Sequence, residues 1–230
     1  MEALLVFSFL LALFTSNPIQ GGPMEHQHIH WLGHASFRIE DNGKQLYIDP
    51  WKLPEKCPPA DIIFITHSHY DHLSLQDIDK IRNEGTVVVA PKDAATSLKG
   101  KVITVVPGET YEVAGLKVET IAAYNLSKQF HPKQNGWVGY CITLSTGQRI
   151  YHAGDTDFTP EMRKVVCDIA LLPCGGNYTM DAKEAAAAAN VFKPKGVIPM
   201  HWGDIVGSKE DVEVFRKEFK GTTIVKTPER

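Results

Sequence analysis

The sequence has no surplus of basic charge, no Cys-x-x-Cys pair and no apolar run long enough to span a bilayer. With 24 Lys and Arg against 27 Asp and Glu, the formal charge is −3. That leaves no basic stripe of the kind that neutralises a phosphate backbone, so nucleic acid is not an expected partner. The four cysteines, Cys57, Cys141, Cys167 and Cys174, are scattered. They would permit two disulfides, but zinc-thiolate and thioredoxin-like chemistry is not indicated, and small buried hydrophobes are the simpler reading for most of them. The apolar run Leu4 to Phe14 falls short of the roughly 20 residues a bilayer requires, so no stable membrane span is expected. There is no internal repeat, and the one biased stretch, Ala185 to Ala189, is simply strong helix former.

The same run has the length of the apolar part of a secretory signal, and Asn17, Pro18, Gly21, Gly22 and Pro23 follow it. Two features oppose that reading: Glu2 stands where a signal normally carries Lys or Arg, and no sharp Ala-x-Ala site follows. The alternative is an over-extended start with Met24 as initiator. Export implies a secreted or periplasmic protein, initiation at Met24 a cytoplasmic one. Residues 1–23 are set aside as a signal peptide or disordered segment, and 24–230 are read as one domain.

From Ile29 onward, short apolar runs alternate with turn residues, the pattern of a many-stranded protein. Ile29 to Ile39 and Gln45 to Ile48 read as an antiparallel pair joined at Asp41-Asn42-Gly43, since Asn-Gly supplies the positive φ angles of a tight hairpin. Asp61 to Thr66 is a continuous apolar strand, expected to be buried on both faces. Leu73, Leu75, Ile78 and Ile81 mark one helix face before a strand at Thr86 to Ala90. The middle of the chain reads as sheet. Alternation then returns, with a helix near Pro160 to Val166, a strand at Ile169 to Leu172, an alanine-rich helix across Asp181 to Asn190 and a strand at Gly196 to Met200. Ser208 and Asp211 form a capping box opening the last helix, and Thr223 to Val225 closes the fold.

The chemistry concentrates in His67-Ser68-His69-Tyr70-Asp71-His72, where four candidate ligands lie within six residues directly after the apolar strand. Three imidazoles and a carboxylate buried without partners would cost several kcal/mol. They must be paired, solvated or bound to metal, and imidazole with carboxylate suits zinc. Asp155 and His201 stand after later strands; alone, either would be unremarkable. Gly154, before Asp155, would let the backbone come close to a bound ion.

His-x-His-x-Asp-His after a strand resembles the metallo-β-lactamase fold superfamily. Trp31-Leu32-Gly33-His34-Ala35-Ser36-Phe37 and Ile48-Asp49-Pro50 are similar to the opening of the branch that includes ascorbate-phosphate lactonase and N-acyl-phosphatidylethanolamine phospholipase D. His152-Ala153-Gly154-Asp155-Thr156 and Pro199-Met200-His201-Trp202-Gly203 resemble the segments bearing the bridging Asp and the last histidine ligand. The resemblance implies an α/β fold, a four-layer αββα sandwich of two mixed sheets flanked by helices. It also implies two divalent metal ions, zinc first, with manganese or iron as alternatives. His67 and His69 would hold one ion, Asp71, His72 and His201 the other, with Asp155 between. The family's remaining histidine aligns with Asn125. His131, in Phe130-His131-Pro132-Lys133, is the expected substitute, folding back as the missing ligand.

Two such ions generate hydroxide near neutral pH and polarise the bond under attack, so the expected activity is metal-dependent hydrolysis of a phosphoester, lactone or amide. Asp71 is expected to orient the hydroxide and accept a proton. His34 and Tyr178 are candidates for stabilising charge or the leaving group, His34 equally for holding a ligand carboxylate. His152 reads as a supporting residue; His26, His28 and His30 receive no role. Lys52, Lys56, Lys128 and Lys133 would attract an anionic small-molecule substrate, if not simply solvated. The competing readings are an iron-dependent redox enzyme on the same fold and a non-catalytic metal-binding scaffold.

Overall fold

The computed structural model describes residues 25–230; the expected export segment lies outside the described residues. Two mixed sheets pack face to face. The first runs in the order β1 (Ile29–Gly33), β2 (Ser36–Asp41), β3 (Lys44–Ile48), β4 (Ile62–Phe64), β5 (Val87–Pro91) and β6 (Lys101–Val105). β1 to β3 form an antiparallel meander, and β3 to β6 are parallel. The second follows β7 (Thr110–Val113), β8 (Leu116–Ala122), β9 (Val138–Thr143), β10 (Arg149–His152), β11 (Ile169–Pro173), β12 (Gly196–Met200) and β13 (Thr222–Thr223). It is antiparallel from β7 to β10 and parallel beyond.

Period-2 alternation explains the layering. In β4, Ile62 and Phe64 face the core between the sheets, whereas Ile63 joins Tyr47, Val88 and Ala90 beneath α1 (Leu75–Ile81) and α2 (Lys92–Ala95). On the far side, α3 (Ala182–Phe192) and α4 (Lys209–Glu218) cover the second sheet with Ala185, Ala186, Ala189, Val212 and Phe215. The chain is thus an α/β four-layer sandwich. Asp181 caps α3 by accepting from the Glu184 amide, and the Ser208 and Asp211 capping box opens α4.

Three local expectations change. The segment Ile29 to Ile39 is two strands, because Gly33 and His34 take φ of 97° and 52° and reverse the chain. The helix expected near Pro160 to Val166 shrinks to a 3₁₀ turn at Met162–Lys164, since Val165 leaves it in extended conformation to bury its side chain. Gly154, with φ of 65°, serves the contact between sheets: a Cβ there would lie 3.1 Å from Thr66 Cβ and 3.2 Å from the Val138 carbonyl oxygen. Close approach to the chain across the interface demands the glycine. Among the described residues no helix is long and apolar enough to cross a membrane.

Candidate metal centre

One end of the sandwich collects the candidate ligands. His67 to His72 follow β4, Asn125 and His131 follow β8, Asp155 follows β10, His201 follows β12, and His34 sits at the β1–β2 turn. Strand ends suit this work, because a rigid sheet fixes where the chain exits while the loop is free to aim side chains. The aim carries a conformational cost. Asp49, His34, His131 and His201 all take positive φ, between 47° and 59°, and such non-glycine positions persist only where the surroundings over-determine them.

His69 Nδ1 lies 3.1 Å from His67 Nε2 and 3.2 Å from His131 Nε2. Four ligands around a tetrahedral zinc at 2.0–2.1 Å would be separated by about 3.3 Å, so the three nitrogens have the spacing of a coordination shell. A second group comprises His34, Asp71, His72 and His201. Asp155 stands between the groups: its Oδ2 is 3.3 Å from His131 Nε2 and 3.1 Å from His201 Nε2, and its Oδ1 is 3.3 Å from His72 Nε2.

The donor set fits cations. His72 Nε2, His201 Nε2 and Asp155 Oδ1 are buried without hydrogen-bond partners, an arrangement too costly to be retained for packing alone. Burial opposes ionisation of Asp155, yet His201, His72 and His131 hold its carboxyl well below the usual range. For Asp71, burial again opposes ionisation, and the hydrogen bond from His34 followed by His72 brings it to about 2. Burial lowers His67, His69 and His34, the last to about 4. Burial opposes protonation of His72, yet Asp155 and Asp49 hold it well above its ordinary value, and a divalent ion bound there would take the place of that proton.

Supporting hydrogen bonds fix the ring orientations. Asp49, fully buried, accepts from His72 Nδ1 at 2.7 Å and from Thr66 Oγ1 at 2.6 Å; Thr66 Oγ1 in turn lies 2.9 Å from His67 Nδ1. One carboxylate therefore orients a histidine in each group. His131 Nδ1 donates to the Tyr178 carbonyl at 3.0 Å, leaving Nε2 toward the cluster. Asn125 donates to the same carbonyl at 2.7 Å. Asn125 and His131 thus share one backbone acceptor, and the His131 ring is the one that meets His69.

Asp93 accepts from Ser68 and from Trp137 Nε1, both at 2.7 Å, and the Trp137 ring packs on His67 and His69 at 4.8 and 4.9 Å. Asp49, Thr66, Asp93 and Trp137 carried no ligand-like spacing. Asp49 belongs to the Ile48-Asp49-Pro50 segment that carries the family resemblance, with no ligand role attached to it.

His34 Nε2 lies 3.0 Å from Asp71 Oδ2, and the His34 carbonyl accepts from the His201 amide at 2.9 Å. Tyr178 lines a cavity of about 290 Å³ over the cluster, and its ring meets Phe130 edge-on. His152 links the Ala35 carbonyl to the Gly154 amide and faces away from ligand duty. His30 pairs with Glu229 at the surface. Of the lysines expected to attract an anion, Lys52 pairs with Asp204, Lys128 with Asp157 and Lys133 with Glu161.

Residues 28–201 match the model of the beta-lactamase superfamily domain. The chain belongs to the metallo-β-lactamase superfamily. Within it, the chain is 32% identical to the UPF0173 metal-dependent hydrolase MK1542 of Methanopyrus kandleri, over 84% of this chain and 91% of that one. It is 36% identical to a UPF0173 metal-dependent hydrolase of Aeropyrum pernix, over 83% and 88%. The solved metallo hydrolase Igni18 of Ignicoccus hospitalis aligns with a TM-score of 0.71 at 25% identity, covering 87% of this chain and 94% of that one. The protein is a metal-dependent hydrolase of the metallo-β-lactamase fold, and the ligand cluster sits at the strand ends of its two sheets.

Proposed function

We propose that this superfamily member is a binuclear hydrolase. In this reading His67, His69 and His131 hold one divalent ion, Asp71, His72 and His201 hold a second, and Asp155 lies between them, with zinc as the expected metal. The observation that carries it is the pair of nitrogen groups on either side of Asp155, at 3.3 Å from His131 and 3.1 Å from His201. Ions held there supply Lewis-acid polarisation of the bond under attack and hydroxide at neutral pH.

The chain's own groups do the rest. His34, kept neutral by burial, donates its Nε2–H to Asp71 Oδ2 and so fixes which carboxylate oxygen faces the cavity. That makes His34 a positioning residue. Asp71, ionised and at the cavity wall, orients the attacking oxygen and takes up its proton. Tyr178 is the hydroxyl on the cavity wall from which a leaving group can receive a hydrogen bond. The substrate is a small molecule with a phosphoester, lactone or amide bond.

Elemental analysis of protein purified without added metal, followed by chelation and stepwise return of zinc, manganese or iron, tests this reading. Two equivalents bound and hydrolysis restored by the second are expected. A single equivalent in the fully active protein would refute the binuclear assignment.

A further inference from the structure

The surroundings of the cluster divide into two kinds of residue. Beyond the ligand candidates His69, Asp71, His131, Asp155 and His201, the cavity is lined by Tyr70, Phe130, Tyr178 and Ile205, with no Lys or Arg among the lining residues described. Three of these are unusually open for apolar side chains: Tyr70 is 68% exposed, Phe130 46% and Ile205 38%. Exposed apolar residues scattered singly need no explanation, but a group rimming one cavity marks a binding surface.

The charged residues nearby are used otherwise. Asp204, next to Ile205, pairs with Lys52 at 2.7 Å and with Arg230 at 2.5 Å. Lys128, two residues before Phe130, pairs with Asp157 and lies 3.8 Å from Glu184, and Lys133 pairs with Glu161 at 2.9 Å. Asp204, Asp157 and Glu161 thus hold these cations against carboxylates beside the loops that carry Ile205 and Phe130, and none of the cations lines the cavity. Tyr70 rests edge-on to Trp51, and Phe130 edge-on to Tyr178. The volume, about 290 Å³, is about twice the roughly 150 Å³ that houses a benzene ring, so a short acyl chain or one aromatic ring fits with room left for the bond that reacts.

We infer that the substrate carries, beyond its scissile bond, an uncharged apolar acyl or aryl group of about this size, seated among Tyr70, Phe130, Tyr178 and Ile205. This rests on the metal-dependent hydrolase reading, because the reacting bond must reach the ligand cluster while the apolar group occupies the rim. Phe130 and Ile205 are then specificity residues, contributing contact to the group that does not react.

Hydroxamates separate the two readings, since a common metal-binding head carries a tail that can be varied. For zinc-loaded protein, affinities of acetohydroxamate, butyrohydroxamate, hexanohydroxamate, benzohydroxamate and a carboxylate-terminated analogue of the hexano compound are compared by calorimetry. Burial of each methylene strengthens binding about threefold to fourfold, so the hexano and benzo compounds are expected to bind at least about tenfold more tightly than the aceto compound. The carboxylate analogue is expected to lose that gain. Phe130→Ala and Ile205→Ala should flatten the series while bound zinc, counted separately, stays at the wild-type level.

Equal affinities across the series, tighter binding of the carboxylate analogue, or no binding by zinc-loaded protein overturns the inference. A tail preference in a protein that hydrolyses nothing sinks the hydrolase mechanism and leaves the apolar subsite standing. Metal-dependent hydrolysis with a flat series does the reverse.

Discussion

Asp49 Oδ2 accepts a hydrogen bond from His72 Nδ1 at 2.7 Å, and the same oxygen accepts from Thr66 Oγ1 at 2.6 Å, which lies against His67. A single buried carboxylate therefore sets the tautomer of one histidine in each ligand group. Orientation of this kind raises ligand basicity and removes the entropy of a swinging ring.

Asp49→Asn is expected to weaken metal binding about 10- to 100-fold while the fold survives. Asp49→Ala should also cost about 2–4 kcal/mol of stability, because the Thr66 amide and hydroxyl lose their acceptor inside the protein. Competition with a chromogenic chelator measures the first and urea denaturation the second. Unchanged affinity in Asp49→Asn would show that packing alone holds the rings.

His131 and Asn125 should separate in the same assay. His131→Ala is expected to lose one equivalent of metal and nearly all activity, whereas Asn125→Ala, which removes a support of the Tyr178 carbonyl, should retain both equivalents with weaker binding. If Asn125→Ala loses an equivalent and His131→Ala keeps two, the assignment is reversed.

Burial brings His34 to about 4 from an ordinary value of 6.5, with its bond to Asp71 opposing. As pH falls the unfolded chain takes up this proton first. The contribution is therefore fully present above about pH 6.5 and lost as pH falls toward 4, a change of about 3 kcal/mol. Asp71, at about 2, titrates below that window. Chelator-treated protein unfolded in urea at pH 7 and pH 4.5 should lose more stability than His34→Gln across the same interval. Equal losses would place the acid sensitivity elsewhere.

Much of the sandwich is legible in the letters because β-strands repeat every two residues and amphipathic helices about every 3.6. The run Asp61 to Thr66, with no polar face, announced a strand buried on both sides, and Ile62, Ile63 and Phe64 divide between two cores as such a strand must. Ser208 and Asp211 announced the start of α4 through a local hydrogen-bonded exchange that needs no tertiary partner. The turn at Gly33 and His34 is not legible in the letters, since both lie within an apolar run that reads as one strand and the positive φ of His34 is held by the fold around it.

Adjacency along the chain already brings candidate metal ligands together, because His67, His69, Asp71 and His72 are near neighbours and a single loop can present them at one point. Which other candidates come to lie beside that loop is a matter of tertiary structure. His131 reaches His69 across 62 positions, and Asp155 meets His201 and His131 only because β8, β10 and β12 end on the same side of one sheet. The roles of Asp49, Asp93 and Trp137 were decided there too. A hydrogen bond to a ring nitrogen and the tilted packing of an indole against an imidazole depend on direction in space, which residue spacing does not encode.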